Sequence, residues 1–285
     1  MGEMRSMKCL KRIMLLAILV FTMASAGNVQ AANYNFYDFY ALDEDDYSET
    51  IKIDLNKDRK AETIKISYVG DQVLDIYINN KRVLKDIYRI MIMDIDRKDK
   101  YIDIVVTDDG ACRLYVYRYN GKGLARYASA NDSGIDKITK KNKMYFSDSS
   151  FEIKTTGNGS ITVYTEIYAP VLENNRFIQV GFNYNVRKNS IKLNQSQFCT
   201  AYSDFGNGQK YVISKIEKNI KWKILKYQNM SSRNKVLTTA KKGDRVKIMG
   251  FKITDKYAYM KVTKLSNKKT GWGIFRLKDI AAEDR

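Results

Sequence analysis

The 285-residue sequence predicts an all-β protein: a body of repeated four-strand units, then a small basic barrel. Three observations carry that expectation. Short runs rich in Ile, Val, Thr and Tyr alternate with Gly, Asn and Asp turns along the chain. Two sets of four such runs follow one another at a spacing of about forty residues, the signature of propeller blades. Helical periodicity longer than two turns occurs only near the N-terminus.

That N-terminus reads as an export signal over residues 1–31. Arg5, Lys8, Lys11 and Arg12 supply a basic start, residues 13–23 are apolar, and Val29-Gln-Ala31 offers a small-residue cleavage site before Ala32. The apolar run is shorter than the roughly twenty residues that span a bilayer. The mature chain is therefore expected to be secreted or cell-wall associated, without a membrane span after cleavage; an uncleaved anchor is the alternative. Cys9 precedes the run, so no lipid-attachment cysteine follows it. Nothing in the sequence sets an oligomeric state.

The body is expected over residues 32–205. An aromatic-rich stretch at 33–40 leads into Asp43, Glu44, Asp45, Asp46 and Glu49, a cluster that reads as a solvated linker. The first strand set is 51–55, 63–68, 73–78 and 82–86, with turns at 56–60, Gly70-Asp71 and Asn79-Asn80. The second is 91–94, 102–107, 114–119 and 124–127, with turns at Asp108-Asp109-Gly110 and at 120–123. Beyond Asn131 the repeat blurs. Strands are expected at 143–146, 151–155, 161–167, 177–186 and 191–193, with a hairpin turn at 156–159. Either a propeller-like body or an open meander satisfies this pattern.

One turn in each set is acidic at every second position. The first carries Asp54, Asn56, Asp58 and Glu62, with the carbonyl of Lys60 available between them; the second carries Asp94, Asp96, Asp99 and Asp103. Alternating oxygen donors on one side of a tight turn suit a hard cation such as calcium, and the same residues also form Asx turns. These loops resemble the calcium loops of FG-GAP/VCBS-type repeats, the blade units of integrin-like β-propellers. The resemblance implies structural calcium at one or both loops. Two departures stand out. Arg59 occupies the sixth position, where the family has Gly, and must adopt or avoid positive φ; the second loop is one residue longer, with Asp103 in the part of Glu62.

The C-terminal unit, 206–285, has a different charge. It holds 21 Lys/Arg and 6 Asp/Glu, a balance of +15, while residues 32–205 hold 25 of each. Such asymmetry points to an anionic partner, although a merely solvated basic surface gives the same count. Five short strands are expected between residues 221 and 280, with Lys242-Gly243-Asp244 before one and Gly271-Trp272-Gly273 opening the last. The arrangement resembles a bacterial SH3-like domain, which implies binding to the cell wall or another envelope component. Tyr227, Tyr257, Tyr259 and Trp272 are the candidate ligand-binding aromatics, with Trp272 equally suited to a groove or a core.

Catalytic motifs are scarce. The chain has no histidine, which removes Ser-His-Asp and Cys-His arrangements and histidine-ligated zinc. Its Gly-x-Gly triplets precede no helix that could hold a phosphate. A carboxylate pair for glycoside hydrolysis is not excluded by composition, but no spacing selects one. Cys112 and Cys199 could form a disulfide in an oxidising compartment or stay buried thiols. The expectation is a non-catalytic binder of anionic cell-wall polymer or peptidoglycan. A nucleic-acid or polysaccharide binder and a wall hydrolase are the alternatives; export disfavours nucleic acid.

Overall fold

The computed structural model describes residues 35–41, 48–70, 73–108, 113–132, 143–144, 152–168, 172, 177–194, 198–202, 210–217, 221–229, 231–254 and 256–276, and every regular element among them is a strand. The export segment, the acidic cluster at 43–46, Cys112 and Pro170 lie outside these residues. Residues 34–285 form one compact unit.

The chain's alternation sets the first sheet. Ser48–Ile53 (β2), Glu62–Tyr68 (β3), Leu74–Ile78 (β4) and Lys81–Ile87 (β5) run antiparallel in sequence order. In β3, Ile64 and Ile66 are fully buried while Lys65 between them is exposed, as period-two strands require. The β4–β5 turn uses Asn79 (φ 50°) and Asn80 (φ 66°), two left-handed residues that match the twist of a tight hairpin.

The second sheet is ordered β1-β6-β7-β8-β9-β10, from Asn35–Tyr40 (β1), Arg89–Met93 (β6), Asp103–Asp108 (β7), Arg113–Tyr119 (β8), Leu124–Asp132 (β9) and Lys143–Met144 (β10). Every residue of β6 is buried, because this sheet is covered on both faces. Ile90, Ile92, Ile104 and Val106 join the core shared with β2–β5. Met91, Met93, Val105, Leu114 and Val116 point the other way, into the core of the third sheet. A strand apolar on both sides needs no polar alternation. Each fully buried Ile contributes about 1.5–3 kcal/mol over exposure.

The third sheet has eleven strands. They are Glu152–Thr155 (β11), Ser160–Tyr168 (β12), Phe177–Arg187 (β13), Ser190–Leu193 (β14), Cys199–Tyr202 (β15), Val212–Lys215 (β16), Trp222–Leu225 (β17), Val236–Ala240 (β18), Arg245–Ile253 (β19), Tyr257–Lys264 (β20) and Lys269–Arg276 (β21). Its order is β11-β12-β13-β15-β19-β20-β21-β17-β18, with β14 on β13 and β16 on β19. The sheet passes across residue 206 through the β15–β19 pairing, Cys199 opposite Phe251 and Thr200 opposite Gly250. Five strands, β17 to β21, occupy the stretch where five were expected. Among the described residues none of the three sheets closes on itself.

Two glycines decide how the end of this sheet packs. A Cβ on Gly273 would lie 1.8 Å from the Trp222 ring, and one on Gly250 (φ 148°) would lie 2.1 Å from the Cys199 carbonyl. Glycine is required at both for the close approach.

Candidate ligand-binding face and the acidic corner

The turn after β2, the turn after β6 and the turn after β11 sit side by side. Ile102 N–H donates to Leu55 C=O at 2.8 Å, and Gly159 N–H donates to Ile95 C=O at 2.7 Å. The two bonds are equivalent. In each, the residue just before a unit's second strand donates to the residue two places after the previous unit's first strand. The two acidic loops repeat a further detail: Leu55 N–H donates to Glu62 at 2.9 Å and Ile95 N–H to Asp103 at 3.3 Å. Glu62 and Asp103 are both buried, and each holds the base of its loop.

In the first loop, Asp54 accepts the amides of Asp58 at 3.0 Å and Arg59 at 2.6 Å. Asn56 accepts from the same Asp58 amide, and Asp58 accepts from Lys60 at 2.8 Å. Lys57 and Arg59 take positive φ (53° and 73°), so Arg59 adopts the left-handed turn where glycine would be freer. Asp54, Asn56 and Asp58 thus remain on one tight turn.

The second loop is neutralised by the chain itself. Lys57 Nζ reaches Asp94 Oδ2 at 2.9 Å and the Asp99 carbonyl at 3.1 Å, joining the two loops. Arg118 donates to Asp99 at 2.6 Å and to Asp103 at 2.8 Å, with its guanidinium 3.5 Å from the Tyr127 ring centre. Burial pushes the Asp103 carboxyl up to about 6, against the opposing pull of Arg118. Asp96 accepts from Lys98 N–H. Among the described residues no group of three or more Asp, Glu or Cys gathers as metal ligands. Lys57 and Arg118 hold Asp94, Asp99 and Asp103, while Asp94 Oδ1 is buried with no hydrogen-bond partner among the described residues. In the first loop, Asp54, Asn56 and Asp58 turn their oxygens to backbone amides of the same turn.

The other feature is the outward face of the third sheet's end. Directly opposed residues of antiparallel strands share a face. The register opposes Lys252 with Tyr259, Lys247 with Thr263, Tyr257 with Arg276, Lys261 with Trp272, and Arg245 with Lys215. The opposite face is the core: Val246, Ile248, Phe251, Met260, Val262 and Phe275. One face thus carries Lys215, Arg245, Lys247, Lys252, Lys261 and Arg276 with Tyr257 and Trp272 among them. No Asp or Glu occupies these positions on β16, β19, β20 and β21.

Aromatic rings hold two of these cations. Lys247 Nζ lies 3.7 Å from the Tyr211 ring centre, and Lys261 Nζ lies 5.8 Å from Trp272 and 6.0 Å from Phe198. Phe198 meets Trp272 edge-on at 6.2 Å. The two tryptophans divide the roles that the sequence left open. Trp222 is buried against Phe275 and Gly273, whereas Trp272 is half-buried on the cationic face.

Of the other aromatics expected to bind, Tyr257 is half-buried in this row and Tyr259 is buried beside it. Burial, with the neighbouring Tyr257, raises the Tyr259 pKa. Tyr227 is exposed on the β17–β18 loop under Lys226, with Asn234 bonded to its backbone. Sequence reasoning missed Phe198 and the cations' alignment; alternation marks Arg245 and Lys247, but the bulge between Ile248 and Gly250 puts Lys252 out of phase, so only the register shows that it shares their face. Comparison with protein-family models, with curated proteins and with solved structures finds no match.

Proposed function

We propose that this is an exported, non-catalytic binding protein of the cell envelope, whose C-terminal sheet face holds anionic wall polymer or peptidoglycan. The carrying observation is six cations, with Tyr257 and Trp272 among them, on one face of the neighbouring strands β16, β19, β20 and β21. Cations in such a row meet successive phosphates or carboxylates of a polymer, and the rings supply stacking surface for sugars.

The remaining parts of the reading are supported by geometry. Consecutive four-strand units with equivalent turn-to-turn hydrogen bonds favour a propeller-like, FG-GAP/VCBS-type body over an unrelated meander. The five strands β17–β21 favour an SH3-like module, here continuous with the body's sheet. Structural calcium at one or both acidic loops, on Asp54, Asn56 and Asp58 or on Asp94 with its neighbours, would stiffen the corner.

The test is retention of the protein on purified walls, with and without their anionic polymer, using wild type and Lys247→Glu/Lys252→Glu. Retention lost on stripping the polymer or on charge reversal supports the proposal. Equal and negligible retention in all cases refutes it. Release of reducing sugar or muropeptide from the same walls would instead support a hydrolase.

A further inference from the structure

Beside the cationic row, the same sheet holds a groove of about 420 Å³ lined by Thr156, Asn158, Ser160, Thr162, Asn183 and Phe198. That volume falls within the range of small-molecule sites. None of the six residues is charged. Thr162 stands opposite Asn183 across β12 and β13, and its hydroxyl donates to Asn183 Oδ1 at 2.6 Å. The Ser160 hydroxyl donates to Asn158 Oδ1 in the same way. Each pair is thereby oriented. Beyond these bonds, each amide nitrogen carries two N–H donors and each hydroxyl oxygen keeps acceptor lone pairs. Phe198 closes the groove with a large exposed ring (37%).

Paired donors and acceptors without charge, beside one aromatic face, match the chemistry of a pyranose. Its hydroxyls take the amide and hydroxyl groups, and its C–H face lies on the ring. The described lining carries no charged side chain, and an apolar ligand would leave its remaining donors and acceptors without partners. We infer that this groove is a subsite for one neutral sugar of a glycan chain, with Phe198 as its stacking platform. Lys261 and Trp272 also neighbour Phe198, so the acidic substituents of the glycan run onto the cationic row. Only the source of the glycan rests on the envelope-binding reading.

Titration calorimetry with two uncharged probes, the N-acetylglucosamine tetramer and cellotetraose, tests it. At least one probe binds wild type, and the affinity is unchanged by raising salt, because no charge is involved. Asn183→Ala and Phe198→Ala each weaken binding by about tenfold or more, and Lys81→Ala, on the first sheet, leaves it intact. Asn158→Ala, on an exposed turn, repeats the test should either variant melt early. Absence of heat with both probes, or affinity unmoved by these variants, overturns the inference. Sugar binding without wall retention leaves the groove standing and removes the envelope reading; retention without sugar binding does the reverse.

Discussion

Replacing Arg118 with Met removes a charge from the acidic corner while keeping most of the side-chain volume. Arg118 bonds Asp99 at 2.6 Å and Asp103 at 2.8 Å, and Asp103 is fully buried. Removing one partner of a buried ion pair costs about 3–5 kcal/mol, because the other charge is left in low dielectric. The loss must depend on pH. Burial raises the Asp103 pKa to about 6 even with Arg118 present. A carboxyl raised on folding favours the native state fully below the ordinary carboxylate value of about 3.9, and that contribution disappears as pH rises through the folded value. For a rise of about two units, this amounts to about 3 kcal/mol across about pH 4 to 6. Without Arg118 the value climbs further, so the variant keeps losing stability above that window. Urea unfolding at about pH 5 and about pH 8 reads the difference. We expect a loss of about 3–5 kcal/mol at the higher pH and a clearly smaller one at the lower. Adding Asp103→Asn should restore at least half. A loss that is equal at the two pH values, or below about 1 kcal/mol at the higher one, would refute the reasoning.

Gly273→Ala should destabilise by about 1–3 kcal/mol or more, since its Cβ would sit 1.8 Å from Trp222; thermal melting and a shift in tryptophan emission check it. Cys199 is a buried free thiol whose pKa burial pushes up to about 12. Its peptide should stay unlabelled by iodoacetamide in the native protein and label only on unfolding, whereas native labelling would contradict the packing of β15 on β19. Calcium should raise the melting temperature of wild type and not of Asp54→Asn/Asp58→Asn; an equal response in both would remove the first loop as a cation site.

Much of the body was legible because its signals are local. Isoleucine alternating with lysine, Asn-Asn turns and the forty-residue spacing mark β2–β5 and β6–β9 directly. The strand Asn35–Tyr40 was not, since it pairs with Arg89–Met93 some fifty residues on and its aromatic run has no turn chemistry of its own. The acidic loops were found by composition, but Lys57 and Arg118 were not seen as their partners. Arg118 lies on β8, and only the sheet register brings it to Asp103. Trp272 could not be told from Trp222 without knowing which face Gly273 opens to the core. Phe198 escaped notice because its neighbours Trp272 and Lys261 are more than sixty residues away.

The central claim is that the cation row on β16, β19, β20 and β21 is a binding surface. Its most direct test is the salt dependence of binding to a purified anionic wall polymer, for wild type and Lys247→Glu/Lys252→Glu. Wild-type affinity should fall steeply and linearly in log–log form, and the variant should bind more weakly with a slope shallower by about one for each lysine lost. Identical affinity and slope for the two proteins would contradict the account.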